Sequence, residues 1–264
     1  MVFISTQEKS QLNNMIENAD LIFILSHIFQ LLGWAFLPLL MLPIMYFLFS
    51  KNQFLKSLSF GIVSTIDTFN YYIGEIVKWL LPLMVLTISF SIFALSIFGK
   101  SWTKLFETSE YFHASVIMLG AASTLLAGKH VRVDIFYSKM NNISRSLVEI
   151  IGFYSLLLPV CIIILWNSQS FVRSSWMILE GSSEIDGIKG EFLLKTLIPI
   201  FSVLMIIQGL SISLRAVMYI LRHEKPLLPL NFDDTFINEN SFKLILILIV
   251  YKNLRTYTKI EYHA

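Results

Sequence analysis

The chain has 264 residues, of which 55% are hydrophobic and only 14% are charged. A soluble domain usually carries about 25% charged residues, so this composition excludes an ordinary water-soluble protein and predicts an all-α, polytopic membrane protein. The formal net charge of +2 is too small to indicate nucleic acid as a partner, and a single cysteine, Cys161, excludes an intramolecular disulfide and a cysteine-based metal cluster.

The N-terminal part of the chain contains one apolar run followed by an amphipathic segment. Residues 1–20 are mixed polar, whereas residues 21–49 contain no Lys, Arg, Asp or Glu. That run exceeds the roughly 20 residues needed to cross a bilayer and predicts a first span. Residues 50–78 instead predict an amphipathic helix that lies in the membrane interface, or one packed on the solvent side of the protein. Its expected buried stripe consists of residues three or four positions apart: Leu55, Leu58, Ile62, Ile66, Phe69, Ile73 and Ile76.

Four further apolar runs follow, and they bring the expected number of transmembrane helices to five. They cover residues 79–98, 111–127, 150–172 and 196–214, and together with their links they predict a four-helix membrane domain over 79–225. The small residues Gly120–Ser123 would let another helix approach closely.

The ends of this domain carry two more local signals. Ser146 and Glu149 have the spacing of a capping box and predict a helix start just before the fourth span. Residues 226–264 begin with Pro226 and Pro229 and include an apolar run too short to cross a bilayer. We therefore expect a tail on the membrane surface there.

Orientation follows from the Lys and Arg residues of the loops, which favour the cytoplasmic side. Five crossings that start outside place ten such residues inside, at 51–78, 129–145 and 215–225, and six outside, at 1–20, 100–110 and 173–195. The sequence therefore predicts a periplasmic N-terminus and a cytoplasmic C-terminus.

A charged cluster between the third and fourth apolar runs is the first candidate site. Lys129, His130, Arg132 and Asp134 alternate with apolar residues, and charges cost roughly 2.5–3.5 kcal/mol each at the bilayer centre, so the cluster must lie at a membrane surface. It is either a polar clamp to a partner or to lipid headgroups, or a solvated cytoplasmic turn. The residues alone favour the turn.

A second candidate is the pair Glu110 and His113, three residues apart at the mouth of a predicted span. Their side chains could form a hydrogen bond there, and ionisable residues in a membrane are functional candidates. No Gly-rich phosphate loop, nucleophile triad or motif with metal-ligand spacing occurs in the sequence, so we expect no enzyme activity.

Several short motifs in fixed order resemble one family of transport proteins, over roughly residues 62–222. The sequence is similar to the small membrane subunit of tripartite ATP-independent periplasmic (TRAP) transporters, the DctQ family, and to its mannitol or chloroaromatic branch. It departs from the family pattern at Leu95-Ser96, at 186–189 and in the additional N-terminal span. The matching residues are Glu110, His113, Leu119–Ala122, Gly128, His130–Tyr137, Leu158-Pro159, Ser175-Trp176, Glu180, Ser182, Glu184, Leu194–Thr196 and Gln208-Gly209.

The resemblance implies a non-catalytic subunit, without a cofactor, of the bacterial inner membrane. Such a subunit is expected to scaffold a large permease that is driven by a sodium or proton gradient. A periplasmic solute-binding protein would deliver an organic acid or related solute, and membrane lipids would surround the spans. The residues that the resemblance marks as candidates for the subunit interface or the family motif are Glu110, His113, Gly128, His130, Arg132, Asp134, Tyr137, Trp176, Glu180 and Glu184.

Two other interpretations compete with this one. A membrane anchor of a redox complex that binds haem or a quinone would use His27 and His113 as axial ligands, and it would show a Soret band in an optical spectrum. A transporter that works alone is disfavoured because no span shows a buried ionisable pair in the sequence.

Overall fold

A computed structural model describes residues 38–99, 102–128, 140–184 and 186–221. Within these ranges every regular element is helical, which confirms the all-α prediction. The polar N-terminus, most of the first predicted span, the charged cluster at 129–137 and the tail at 226–264 lie outside the described residues. The helices are α1 (Leu42–Leu48), α2 (Gln53–Val77), α3 (Leu80–Phe98), α4 (Thr103–Leu126), α5 (Asn142–Gly152), α6 (Leu158–Ile178) and α7 (Glu191–Ile220), with a π-helical turn (Phe153–Leu157) between α5 and α6.

Three helical stretches of the described chain are long and apolar enough to cross a membrane. They are Gln53–Phe98, Asn142–Ile178 and Glu191–Ile220. Helix α4 is not among them, since its first half carries polar and charged residues. The membrane protein class is thus confirmed, and the number of five spans stays a prediction.

Helix α7 is the centre of the bundle. It packs against α1, α2, α4, α5 and α6. Half of the residues in its most apolar 18-residue segment are buried, whereas the corresponding shares in the other two membrane-length stretches are 6% and 11%. The surrounding helices therefore turn most of their apolar side chains outward, as helices in contact with lipid do.

Two groups of buried side chains hold the helices to α7. The larger joins α1, α2, the π-helical turn and α7, and the smaller joins α4, α6 and α7. Their buried members are Leu42, Tyr46, Leu55, Val63, Ile66, Phe153, Leu210, Leu214, Val217 and Met218 in the first group and Ala122, Cys161, Leu204 and Met205 in the second.

Helices α2 and α4 approach closely at small residues, as the stretch Gly120–Ser123 predicts. A Cβ atom built on Gly74 of α2 would lie only 2.7 Å from Cβ of Ser123. One turn away, the corresponding position on Gly120 lies 3.7 Å from Val77. The backbones of the two helices can come this close because neither glycine has a side chain.

The buried face of α2 differs from the apolar stripe that its periodicity predicts. Leu58, Phe69 and Ile76 of that stripe are 38%, 53% and 70% exposed. The polar residues Asp67 and Asn70 are instead fully buried, at 0% exposure. The helix is present as predicted, and Leu55 and Ile66 of the stripe are buried in the core. Its buried face is shifted toward Asp67 and Asn70, because these residues meet polar partners on α7.

The helix that contains the fourth predicted span also starts at a different residue from the predicted one. Helix α5 begins at Asn142, with Asn141 as its N-cap residue. Ser146 lies inside the helix, where its hydroxyl donates to the carbonyl oxygen of Asn142 at 3.1 Å. The predicted capping box at Ser146 and Glu149 is therefore wrong: the apolar run marks only part of a longer helix.

Candidate functional site

The charged cluster predicted as a clamp lies almost wholly outside the described residues. His130, Arg132, Asp134 and Tyr137 belong to that part of the chain, so their role stays a prediction. Gly128, the first residue of the family motif, is described. It follows the C-terminus of α4 with a φ of 65°, in the left-handed region, and its N–H donates to the carbonyl oxygen of Leu125 at 3.1 Å. A glycine suits this position because a Cβ atom is strained there.

Other predicted residues meet at the opposite end of α4, in a region that we call the polar end. It consists of residues 103–111 and 175–196. Trp176, near the C-terminus of α6, donates from its indole Nε1 to the hydroxyl of Thr196 at 2.9 Å. Its ring also packs edge-on against Phe192, with centroids 4.8 Å apart. Both partners lie in the first turns of α7, so Trp176 joins α6 to α7.

Glu180 makes a second connection between the same helices. Its carboxylate accepts hydrogen bonds from the hydroxyl of Ser175 and from the ammonium group of Lys195, the latter at 2.5 Å. The hydrogen bonds from Lys195 and from Ser175 lower the pKa of Glu180 below its ordinary value, because both donors stabilise the charged form. Lys195 also lies over the ring of Phe171, 4.4 Å from its centroid.

Glu107 of α4 connects this helix to the loop between α6 and α7. It was not among the residues predicted from the sequence. Its carboxylate accepts hydrogen bonds from the hydroxyl of Ser182 and from the backbone N–H of Ile188, the latter at 2.5 Å. These bonds, with Ser182 first, lower the pKa of Glu107. The loop between α6 and α7 is thus held onto α4 by a residue about 80 positions away, which no local pattern could indicate.

A cavity of about 460 Å³ opens between α4 and this loop. Of the predicted residues it brings together Glu110 and Glu184, and Glu107 and Glu191 join them. Four carboxylates therefore line one cavity at the polar end.

The family comparison fits this architecture. Residues 84–218, just over half of the chain, match the model described as tripartite ATP-independent periplasmic transporters, DctQ component. The chain belongs to the DctQ family. No curated protein and no solved structure matches it. The family is one of transporter components and contributes no enzyme chemistry, which fits the expectation of a non-enzyme.

In this DctQ chain the predicted contact between Glu110 and His113 is not formed. Both side chains are exposed on α4, and no hydrogen bond joins them. His27, the other proposed axial ligand, lies outside the described residues. The geometry around His113 therefore gives the redox-anchor interpretation no support.

A group of fully buried polar side chains in the described part of the DctQ chain lies far from the polar end. The carboxylate of Asp67 in α2 accepts hydrogen bonds from Gln208 at 3.1 Å and from Ser211 at 2.6 Å. Its other oxygen pairs with the guanidinium of Arg215, whose Nε donates at 2.9 Å. The side-chain amide of Asn70 donates to Gln208 at 2.6 Å.

This group corrects the premise that no span carries a buried ionisable pair. Asp67 is 1% and Arg215 17% exposed at the side chain. From the sequence, Arg215 falls in the loop range just beyond a predicted span, and Asp67 is not part of the expected buried stripe of α2. The two residues are 148 positions apart, so only the packing of α2 on α7 reveals the pair.

Proposed function

We propose that this DctQ chain scaffolds the large permease of a TRAP transporter in a bacterial inner membrane. The permease would use an ion gradient to take up an organic acid or related solute from a periplasmic binding protein. The family match over 84–218 is the observation that carries the proposal.

The bundle has a surface suited to such a role. Helix α3 buries a single residue, Ala94, although it is mostly apolar and contains no charged residue. Its exposed side chains include Leu86, Ile92 and Phe93, which are 64%, 61% and 56% exposed. Lipid or a partner subunit must cover these side chains. In a scaffold, one part of this apolar surface would contact the permease and the rest would contact lipid.

The proposed orientation assigns different surroundings to the two ends of the bundle. With the N-terminus outside, the polar end and its carboxylates would face the periplasm, where a solute-binding protein would approach the complex. The charged cluster at 129–137 would face the cytoplasm and contact the permease there.

Reconstitution tests the scaffold role. Vesicles that contain this subunit alone should take up no solute under a sodium or proton gradient. Vesicles with the co-expressed large permease and the binding protein should take it up, and omission of the small subunit should abolish uptake. Solute movement by the isolated subunit would refute the scaffold proposal.

A pair of variants tests the cytoplasmic contact. Arg132→Ala should reduce copurification of the permease, because loss of one charge-assisted hydrogen bond costs about 1.5–3 kcal/mol. Lys129→Ala removes the same charge from the same cluster and serves as the matched control, with copurification near that of the unchanged protein. If the permease copurifies equally with both variants, Arg132 does not contact it, and the cluster is a solvated turn.

A further inference from the structure

The buried pair Asp67–Arg215 joins a helix outside the family match to one inside it. Asp67 and Asn70 precede the matched residues 84–218, whereas Gln208, Ser211 and Arg215 lie on the matched helix α7. A buried carboxylate is stable only when opposite charge and hydrogen-bond donors compensate for lost hydration. All of these donors come from α7, so the charge of Asp67 is compensated only when α2 is docked there.

The connection from α2 to α3 is a weak point of the helix. Pro82 has no backbone N–H and cannot donate to the carbonyl oxygen of Lys78. That oxygen instead accepts from Leu81 at 3.3 Å, and the N–H of Trp79 donates to Ile76 at 3.2 Å. Both bonds span three residues rather than four, which is the pattern of a local 3₁₀ turn and is typical of hinges.

The docked position of α2 also carries a cost. Within the described residues, the side-chain oxygen of Asn70 and the hydroxyl of Ser59, both on α2, are buried without a hydrogen-bond partner. Buried polar atoms without partners destabilise the state that contains them. The contacts of Asp67 and the buried apolar side chains of α2 together offset this cost.

We propose that α2 is a hinged arm and that the Asp67–Arg215 group is the latch that holds it on α7. The hinge lies at residues 78–81. The latch lies eleven residues before Lys78, about 16 Å along the helix at 1.5 Å per residue. When the charge of Asp67 is removed, α2 pivots at the hinge while α3, α4, α5, α6 and α7 keep their arrangement.

Distances between spin labels on the full chain test the latch. One pair, Ser57→Cys with Leu147→Cys, joins the exposed start of α2 to α5. A second pair, Lys104→Cys with Leu147→Cys, lies wholly within the matched domain. All three substitution sites are exposed, and Cys161 is buried, so protein without added cysteines should take up no label.

The latch predicts a specific combination of results. Asp67→Asn, which keeps the side-chain shape, should at least double the width of the distance distribution from 57 to 147 and leave that from 104 to 147 unchanged. Glu75→Gln removes a partly exposed carboxylate of the same helix, paired with Lys78, and should change neither distribution. Adding Pro82→Ala to Asp67→Asn restores the missing backbone donor and should narrow the first distribution again.

Two results would overturn the proposal. If Asp67→Asn leaves the first distribution unchanged, the pair does not hold α2. If both distributions broaden, the pair stabilises the whole bundle and no separate arm exists. If Asp67→Asn does not fold, Ser211→Ala is the second variant, because it removes one of the four hydrogen bonds to Asp67. The distribution from 57 to 147 should then broaden, and an unchanged distribution would overturn the proposal.

Discussion

At the scale of single residues, Gly128 ends α4 in a conformation that most side chains avoid. Because its φ is 65°, Gly128→Val should lower the free energy of unfolding by about 1–2 kcal/mol. Gly128→Asn should cost less, since asparagine adopts the left-handed region more readily. Thermal unfolding in detergent micelles measures both. Equal losses for the two variants would show that backbone strain is not the cause.

Glu107 makes the attachment of the loop at the polar end dependent on pH. Its pKa in the folded chain lies below the ordinary value of 4.5. The bonds to Ser182 and Ile188 are therefore fully formed above that value and are lost as the pH falls through the folded pKa. A spin label on Ser183→Cys should become more mobile as the pH is lowered from 6 to about 3.

Two variants separate Glu107 from the other carboxylates of the cavity. Glu107→Gln should give a mobile label at every pH. Glu110→Gln should keep the pH dependence, because no hydrogen bond from Glu110 holds the loop. A pH response that persists in Glu107→Gln would assign the effect to another carboxylate of the polar end, such as Glu180, Glu184 or Glu191.

At the scale of whole elements, α2 contains two glycines in opposite surroundings. Gly61 has no heavy atom within 4 Å of a built Cβ, whereas that of Gly74 would overlap Ser123 of α4. Gly61→Ala should raise the free energy of unfolding by about 0.5–1 kcal/mol, and Gly74→Ala should lower it by about 1–3 kcal/mol. Chemical or thermal unfolding of both variants measures the difference.

A double variant serves as the control for Gly74→Ala. Adding Ser123→Gly to Gly74→Ala removes the overlapping side chain and should recover part of the loss, at the cost of one more helix glycine. A Gly74→Ala variant as stable as Gly61→Ala would mean that α2 and α4 are further apart than the structure shows.

At the scale of the whole molecule, the charge bias of the loops predicts the orientation in the membrane. A reporter fused after Ser138 should be cytoplasmic, and one fused after Ser183 should be periplasmic, because Lys and Arg are enriched at 129–145. Reporters of the two compartments, such as a fluorescent protein and a secreted phosphatase, distinguish the sides. The reverse result at both positions would overturn the predicted orientation.

The sequence by itself determined the class, the family and the approximate position of several helices. Long apolar runs cannot be hydrated and must be buried in lipid or protein, so they mark helices wherever they occur. The motif that begins at Gly128 identified the family because its spacing is local. The close approach at Gly120–Ser123 was also predictable, since small side chains are visible in the sequence.

Only the tertiary structure decided which side of each helix faces the bundle and which distant residues meet. Periodicity predicts that α2 has an apolar and a polar face. In a water-soluble protein the apolar face would be the one that packs against the interior. In a membrane domain lipid accepts apolar side chains, so Asp67 turns inward to Arg215, and Glu107 of α4 likewise meets the backbone of Ile188. These pairs are separated by 148 and 81 positions. The buried charge of Asp67 is compensated by the groups that the fold brings beside it.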